Sequence, residues 1–233
     1  MAPAPQIQAV TFDAGGTLLE TWPSVGHLYA EAAAQFGIRH ADPATLTRRF
    51  AAAWEARDGF DYSRQAWARL VAQTFSGLCD GAVGDALFAG LYERFAHREA
   101  WRLFPDVLPA LEGLRRRGVK MAVISNWDDR LLGLLRELGL ADFFSDVCVS
   151  FKVGIPKPSS HIFALASQRL GVPAGAILHV GDSPVEDGAG ARAAGFQAAL
   201  LRRQAGPRNG EEIGSLAEVL ARVNGASAEK HVN

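Results

Sequence analysis

Cysteine and lysine are the scarce residues of this chain. Its two cysteines, Cys79 and Cys148, are too few for a disulfide framework or a cysteine-ligated zinc site. They read as buried or half-buried thiols of a reducing compartment. Lysine occurs only at positions 120, 152, 157 and 230, so each one can be weighed singly. A formal net charge of -1 removes the electrostatic case for nucleic acid or an anionic membrane surface as partner. No apolar run approaches the length of a bilayer span. The opening residues M-A-P-A-P-Q-I-Q lack the basic region and long apolar run of a signal peptide. The expectation is therefore a cytoplasmic protein. With 233 residues, 48% hydrophobic and 21% charged, the chain suits one large domain or a domain with an insert.

What is present is organised around A-V-T-F-D-A-G-G-T-L-L, residues 9–19. Val10 and Phe12 bracket Thr11 in a short apolar run that suits a buried strand. The run ends at Asp13, and Gly15-Gly16 then imposes a turn. A carboxylate that ends a buried strand and opens a glycine loop is where open α/β sheets build their sites; a capping Asp in a plain strand-to-helix turn would look similar.

Helical spacing follows for about eighty residues. Helices are expected over 25–36, from Pro43, over 65–74 and over 85–95, with Gly/Asp clusters between them. No strand-like alternation interrupts them, so 20–98 reads as an all-helical insert with a small aromatic core. From Trp101 helices and strands alternate: helix 107–117, strand 119–124, helix 131–138, strand 146–150, helix 159–170, strand 176–180, helix 185–194, strand 196–201 and helix 216–223. That rhythm predicts a doubly wound parallel sheet joined by right-handed crossovers. The organisation expected is an α/β core over 1–19 and 99–225, a helical cap over 20–98 and a flexible tail over 226–233.

Polar signatures sit just after three of the expected strands: Asp13, Ser125-Asn126 and Asp182. Lys157 lies in a proline-framed loop, G-I-P-K-P. In a parallel sheet these residues gather at one edge. Asp13 suits a nucleophile, and Asp182 with Asp187 suits a hard cation held through oxygen. Lys157 supplies positive charge, and Ser125 and Asn126 supply donors for a phosphate. Phosphoryl transfer needs mainly positioning and charge neutralisation, which this set offers. Singly, each has a plainer alternative as a surface charge, a turn residue or a helix cap; in this order and context, together, they favour a site.

The signatures D-A-G-G-T-L from Asp13, I-S-N from Ile124, G-I-P-K-P from Gly154 and G-D-S-P-V-E-D from Gly181 resemble those of the haloacid dehalogenase (HAD) superfamily. H-V-G-D followed by G-A-R-A-A-G-F is similar to the branch around the rhythmically expressed gene two protein. The resemblance implies a Rossmann-like α/β core with an inserted helical cap of the C1 type. It also implies roles. Asp13 would attack phosphorus and form an aspartyl-phosphate. Mg²⁺ would be bound by Asp13, the Gly15 carbonyl and Asp182, with Asp187 in support. Ser125, with the Asn126 and Gly16 backbone nearby, would bind the phosphoryl group. Lys157 would neutralise Asp13 and the phosphate, and Thr17 would orient the nucleophile loop. The substrate would be a small phosphorylated metabolite.

The chain departs from the superfamily's phosphatases at one position. They carry a second Asp two residues after the nucleophile, which protonates the leaving alkoxide and then activates water; here that residue is Gly15. Such a group is worth about 10²–10⁴-fold in rate. Poor turnover of alkyl phosphates is expected, with aryl or acyl phosphates suffering less. Glu20 and Glu186 are the candidates for a replacement acid. Three other readings remain beside phosphatase. A phosphonate-cleaving enzyme needs a lysine in the cap, and 20–98 contains none. A 2-haloacid dehalogenase needs no metal, whereas the metal-type Asp182 and Asp187 are retained. A non-catalytic or regulatory protein would keep the fold and explain Gly15.

Overall fold

The computed structural model describes residues 5–38, 41–79, 81–203 and 210–224. The chain enters through strand β1 (Ala9–Phe12), whose four residues are all buried. A strand with no exposed residue needs cover on both faces, which a central position in a parallel sheet provides. A tight loop follows, in which the amides of Leu18 and Leu19 converge on the Ala14 carbonyl at 2.8 and 3.1 Å. The short strand β2 (Leu19–Thr21) leads into four helices, α1 (Val25–Gln35), α2 (Pro43–Glu55), α3 (Arg64–Thr74) and α4 (Gly81–Arg94).

Local sequence sets the ends of these helices. Ser24, Asp42 and Ser63 cap the first three by accepting the amides of His27, Thr45 and Ala66, satisfying donors the helix itself leaves open. Pro43 stands at a first-turn position, where its missing N–H costs nothing. Gly37, at φ +80°, takes the left-handed conformation that closes α1. The helices enclose Tyr29, Leu46, Phe75, Leu87 and Leu91, with Tyr29 stacked on Phe75 at 5.6 Å. A second aromatic group joins Trp54, Phe60, Tyr62 and Trp67.

Strand β3 (Trp101–Leu103) pairs with β2. The chain continues through α5 (Val107–Arg116), β4 (Lys120–Ser125), α6 (Arg130–Glu137), β5 (Asp146–Val149), α7 (Ser150–Val153) and α8 (Ser160–Leu170). After β6 (Ile177–Gly181) come α9 (Gly190–Ala193), β7 (Gln197–Leu201), β8 (Glu212–Ile213) and α10 (Ala217–Asn224). The six-stranded sheet has the order β5-β4-β1-β6-β7-β8, and every neighbouring pair is parallel. It grows outward from β1 first in one direction and then in the other, a doubly wound Rossmann-like α/β fold. Ile162, Phe163, Ala166 and Leu170 of α8 pack on Ala122, Ile124, Cys148 and Ile177 of the sheet. Full burial of a side chain of this size contributes roughly 1.5–3 kcal/mol.

Two units result. The α/β unit holds the residues up to 19, 103–132 and those from 139 onward; the helical unit holds 20–102 and 133–138. Three short strands, β2, β3 and β8, were not expected, and two or three residues carry too little periodicity to register. The segment 185–194, expected as one helix, begins instead with a wide π-type turn over Pro184–Ala189. In it the Gly188 amide reaches back five residues to the Ser183 carbonyl at 3.1 Å. The turn lets the Asp187 carboxylate fold back over Gly181 and accept the Ser183 amide at 2.9 Å. A Cβ on Gly181 would fall 2.1 Å from Asp187 Cγ, so only glycine permits that approach. The expected flexible tail, 226–233, lies outside the described residues.

Candidate active site

Asp13 follows β1 directly, Ser125 is the last residue of β4, and Asp182 is the first residue beyond β6. These are the carboxyl ends of three adjacent parallel strands, the edge at which open α/β sheets bind ligands. Lys157 comes in from the loop between α7 and α8 and is only 3% exposed. Its ammonium donates to Asp13 Oδ1 at 2.7 Å and to Asp187 Oδ1 at 2.6 Å. The Ser125 hydroxyl donates to the same Asp13 oxygen at 3.0 Å. Asn126 does something the sequence did not suggest. Its Oδ1 accepts the Lys157 amide at 2.7 Å while its Nδ2 donates to the Lys157 carbonyl at 2.9 Å. Both ends of the amide are thus committed to holding the lysine backbone.

The glycine loop gives the carboxylates room. Gly16 has φ +76°, and a Cβ there would lie 2.5 Å from Asp182 Oδ2, so conformation and space both demand glycine. Thr17 is fully buried. Its carbonyl accepts from Arg203 at 2.7 Å, and its buried hydroxyl oxygen has no hydrogen-bond partner among the described residues. The loop is therefore held through the Thr17 backbone. Glu20 is bound by Arg102, with contacts of 2.5 and 3.1 Å.

The charges do not balance. Asp13, Asp182 and Asp187 each place an oxygen within 4.8 Å of the others, against the one ammonium of Lys157. Burial raises Asp13 above the usual carboxylate range, with Lys157 opposing. Burial would also raise Asp187, but Lys157 and His179 hold it well below. The two carboxylates overcome the burial of Lys157 and raise the ammonium's pKa. Asp182 is exposed as a residue, yet desolvation of its carboxyl and then the charges of Asp13 and Asp187 push it up to about 7. Among the described residues it forms no ion pair. Hard oxygen donors, surplus negative charge and a carboxyl that holds its proton this high are what a small divalent cation would relieve. Asp187 already accepts from Lys157, His179 and Ser183, which fits it to support rather than to lead.

One member of this network went unread in the sequence. His179 is buried in β6 and lies opposite Thr11 of β1 in the parallel register. Its Nδ1 is 2.9 Å from the Thr11 hydroxyl and its Nε2 is 3.1 Å from Asp187 Oδ1. An ionised carboxylate can only accept, so the geometry assigns the proton to Nε2 and makes Thr11 the donor to Nδ1. Burial lowers the pKa of His179, consistent with a neutral ring. The signal was available: one polar residue interrupts each of two apolar strands. Arg203 left none. It binds Asp106 at 3.0 and 3.1 Å and stacks over Phe104 at 3.7 Å, while gripping a carbonyl 186 positions earlier.

Comparison with known proteins agrees with this fold. Residues 7–195 match the model of the haloacid dehalogenase-like hydrolases. The chain is 35% identical over 219 residues to a haloacid dehalogenase-like hydrolase domain-containing protein 3 of Danio rerio, covering 89% of this chain and 90% of that one. It is 28% identical to the rhythmically expressed gene 2 protein of Drosophila melanogaster, with 85% and 84% covered. Among solved structures, a HAD phosphatase from Thermococcus onnurineus superposes with a TM-score of 0.68 at 26% identity, covering 94% of this chain and 99% of the other. A 2-haloacid dehalogenase from Pseudomonas syringae pv. Tomato DC3000 superposes at 0.65 and 27%, covering 95% and 100%. With that model matched over residues 7–195 and a relative 35% identical along most of both chains, the chain belongs to the haloacid dehalogenase-like hydrolase family.

Proposed function

We propose that this hydrolase is a phosphatase acting on a small phosphorylated metabolite through an aspartyl-phosphate on Asp13, with Mg²⁺ as cofactor. The observation that carries the reading is Asp13 itself. Its carboxylate takes hydrogen bonds from Ser125 and Lys157 and lies beside two further carboxylates. A dehalogenase uses the same nucleophile but has no need for that acidic cluster, which is why we rank phosphoryl transfer above it.

An Asp13 oxygen attacks phosphorus as the bond to the leaving oxygen breaks. Lys157 offsets the negative charge that Asp13 and the phosphoryl group bring together, and Ser125 turns its hydroxyl to a phosphoryl oxygen. Asn126 keeps the lysine in place through its backbone. Mg²⁺ would be held by Asp13, Asp182 and the Gly15 carbonyl, with Asp187 in support, and would supply charge neutralisation at the phosphoryl oxygens. Water then attacks phosphorus, releasing phosphate and restoring Asp13. The helical unit serves as the cap that selects the substrate, and the protein acts in the cytoplasm. Among the described residues no helix is long and apolar enough to cross a membrane.

The test is hydrolysis of p-nitrophenyl phosphate with Mg²⁺ or EDTA, with Asp13→Asn as the blank. Expected is turnover that needs Mg²⁺ and falls at least about 10³-fold in the variant, since the nucleophile has gone. No turnover above the blank, with chloride released from a 2-haloacid in EDTA, would establish the dehalogenase reading. Neither activity, with Mg²⁺ still bound, would establish a non-catalytic protein.

A further inference from the structure

Position 15 lacks the side chain that would protonate a leaving group, and an indole stands close beside it. A Cβ built on Gly15 would meet Trp127 Cζ3 at 3.2 Å and Cη2 at 4.0 Å. Trp127 is anchored at its backbone: its amide donates to Ser150 Oγ at 3.1 Å, and its carbonyl accepts from that hydroxyl and from the Phe151 amide, each at 3.2 Å. The indole therefore reaches from the end of β4 across to the loop that follows Asp13. Asn126, the residue before it, clamps Lys157. Along the same edge of the sheet, Phe151 after β5 is 46% exposed and Val185 after β6 is 62% exposed. Beside the carboxylates the rim thus offers apolar groups, and at position 15 it offers no proton.

We infer that Gly15 and Trp127 act as one device that selects aryl phosphates, with the indole walling the side from which the leaving group departs. The inference rests on the phosphatase reading above. A phenolic oxygen can depart as the anion, because phenols ionise near pH 10, whereas an alkoxide depends on a proton donor. In the first step the Asp13 oxygen–phosphorus bond forms and the phosphorus–aryl oxygen bond breaks. The phenolate keeps the electron pair and takes its proton from water. In the second step water attacks phosphorus, the Asp13 bond breaks, and the water's proton leaves with the phosphate. The first step requires no acid at position 15; the second goes without a base there and is slowed alike for every substrate, which kcat/KM ratios between substrates do not register. Acyl phosphates share the good leaving group but not the ring, so the indole separates two classes that the missing acid alone would leave equal.

Turnover of phenyl phosphate, acetyl phosphate and glycerol phosphate, measured as kcat/KM with Mg²⁺, tests this in the full chain and in Trp127→Ala and Trp127→Leu. Expected in the parent is a preference for phenyl over glycerol phosphate of about 10²-fold or more. Both variants should lower the phenyl-to-acetyl ratio by about tenfold, the worth of an aromatic contact. A ratio is insensitive to the fraction of misfolded protein, and Trp127→Leu keeps an apolar side chain there. Gly15→Asp combined with Trp127→Ala should raise glycerol phosphate turnover more than Gly15→Asp alone, because the new side chain would press on the indole that stands 3.2 Å from its Cβ. A phenyl-to-acetyl ratio unchanged in both variants, with Asp13-dependent turnover intact, would overturn this inference and leave the phosphatase reading standing. No turnover of any of the three, or turnover that survives Asp13→Asn, would overturn both.

Discussion

With tyrosine counted among the aromatics, nine of the ten polar or charged side chains found buried in the described residues belong to the α/β unit. The helical unit contributes Thr74 alone, whose hydroxyl is satisfied within its own helix by the Leu70 carbonyl. Its interior is instead apolar: Leu28, Leu46, Leu70, Leu87 and Leu91 are buried beside Tyr29 and Phe75, and partly buried rings such as Phe50, Phe95, Trp54 and Trp67 pack around them. The contrast is physical. Rings fill space and demand few partners, whereas buried charges persist only where other charges and donors hold them. The α/β unit buries Asp13, Lys157, His179 and Asp187 together, whereas the helical unit buries apolar side chains almost alone.

The comparison can be broken most severely at Lys157. In Lys157→Met two carboxylates lose their shared cation, and removing one partner of a buried ion pair costs about 3–5 kcal/mol. Denaturant unfolding should show that loss; a change below about 1 kcal/mol would mean that the buried charges of the α/β unit are not interdependent. Phe75→Ala probes the other unit. Cutting a fully packed ring to a methyl group costs about 3–5 kcal/mol and should lower the melting temperature. Phosphorylation of Asp13 by acetyl phosphate, counted per folded molecule, should be unchanged. A fall there would show that the apolar interior shares in the chemistry.

The smallest effect sharpens the account of the site. Asp182 is held up to about 7 against 3.8 for an unperturbed group, so between those values the folded chain keeps a proton that the unfolded chain has released. Through this group the metal-free protein therefore loses stability as pH rises from about 4 to 7. A divalent cation held there would displace the proton and return the stability, so on the proposed function Mg²⁺ should raise the melting temperature by more at pH 8 than at pH 5. Equal shifts at both would remove Asp182 from the cation site.

Much of this was legible in the sequence because the strand-end residues carry their meaning locally. Asp13, Ser125 and Asp182 each follow an apolar run, and parallel strands bring such positions to one edge whatever the details of packing. Helix starts at 25, at Pro43 and near 65 were legible from helical spacing and from that proline, although the caps Ser24, Asp42 and Ser63 were not read there. What escaped was set at long range. The role of Asn126 as a clamp depends on Lys157, which lies 31 positions away. His179 matters because the register of two strands sets it opposite Thr11, and Trp127 matters because of the space that Gly15 leaves.

The wide turn after Ser183 has a consequence for how this chain can change length. A π-type turn holds one residue more than the α-helical turn it replaces, and each helical residue turns the next by about 100°. Losing a single residue between Ser183 and Asp187 would let the helix close in the ordinary way and swing the carboxylate away from Lys157 and His179, though every residue of that network would still be encoded. In this segment the number of residues aims the charge, so a substitution at Val185 can be absorbed where a deletion there cannot.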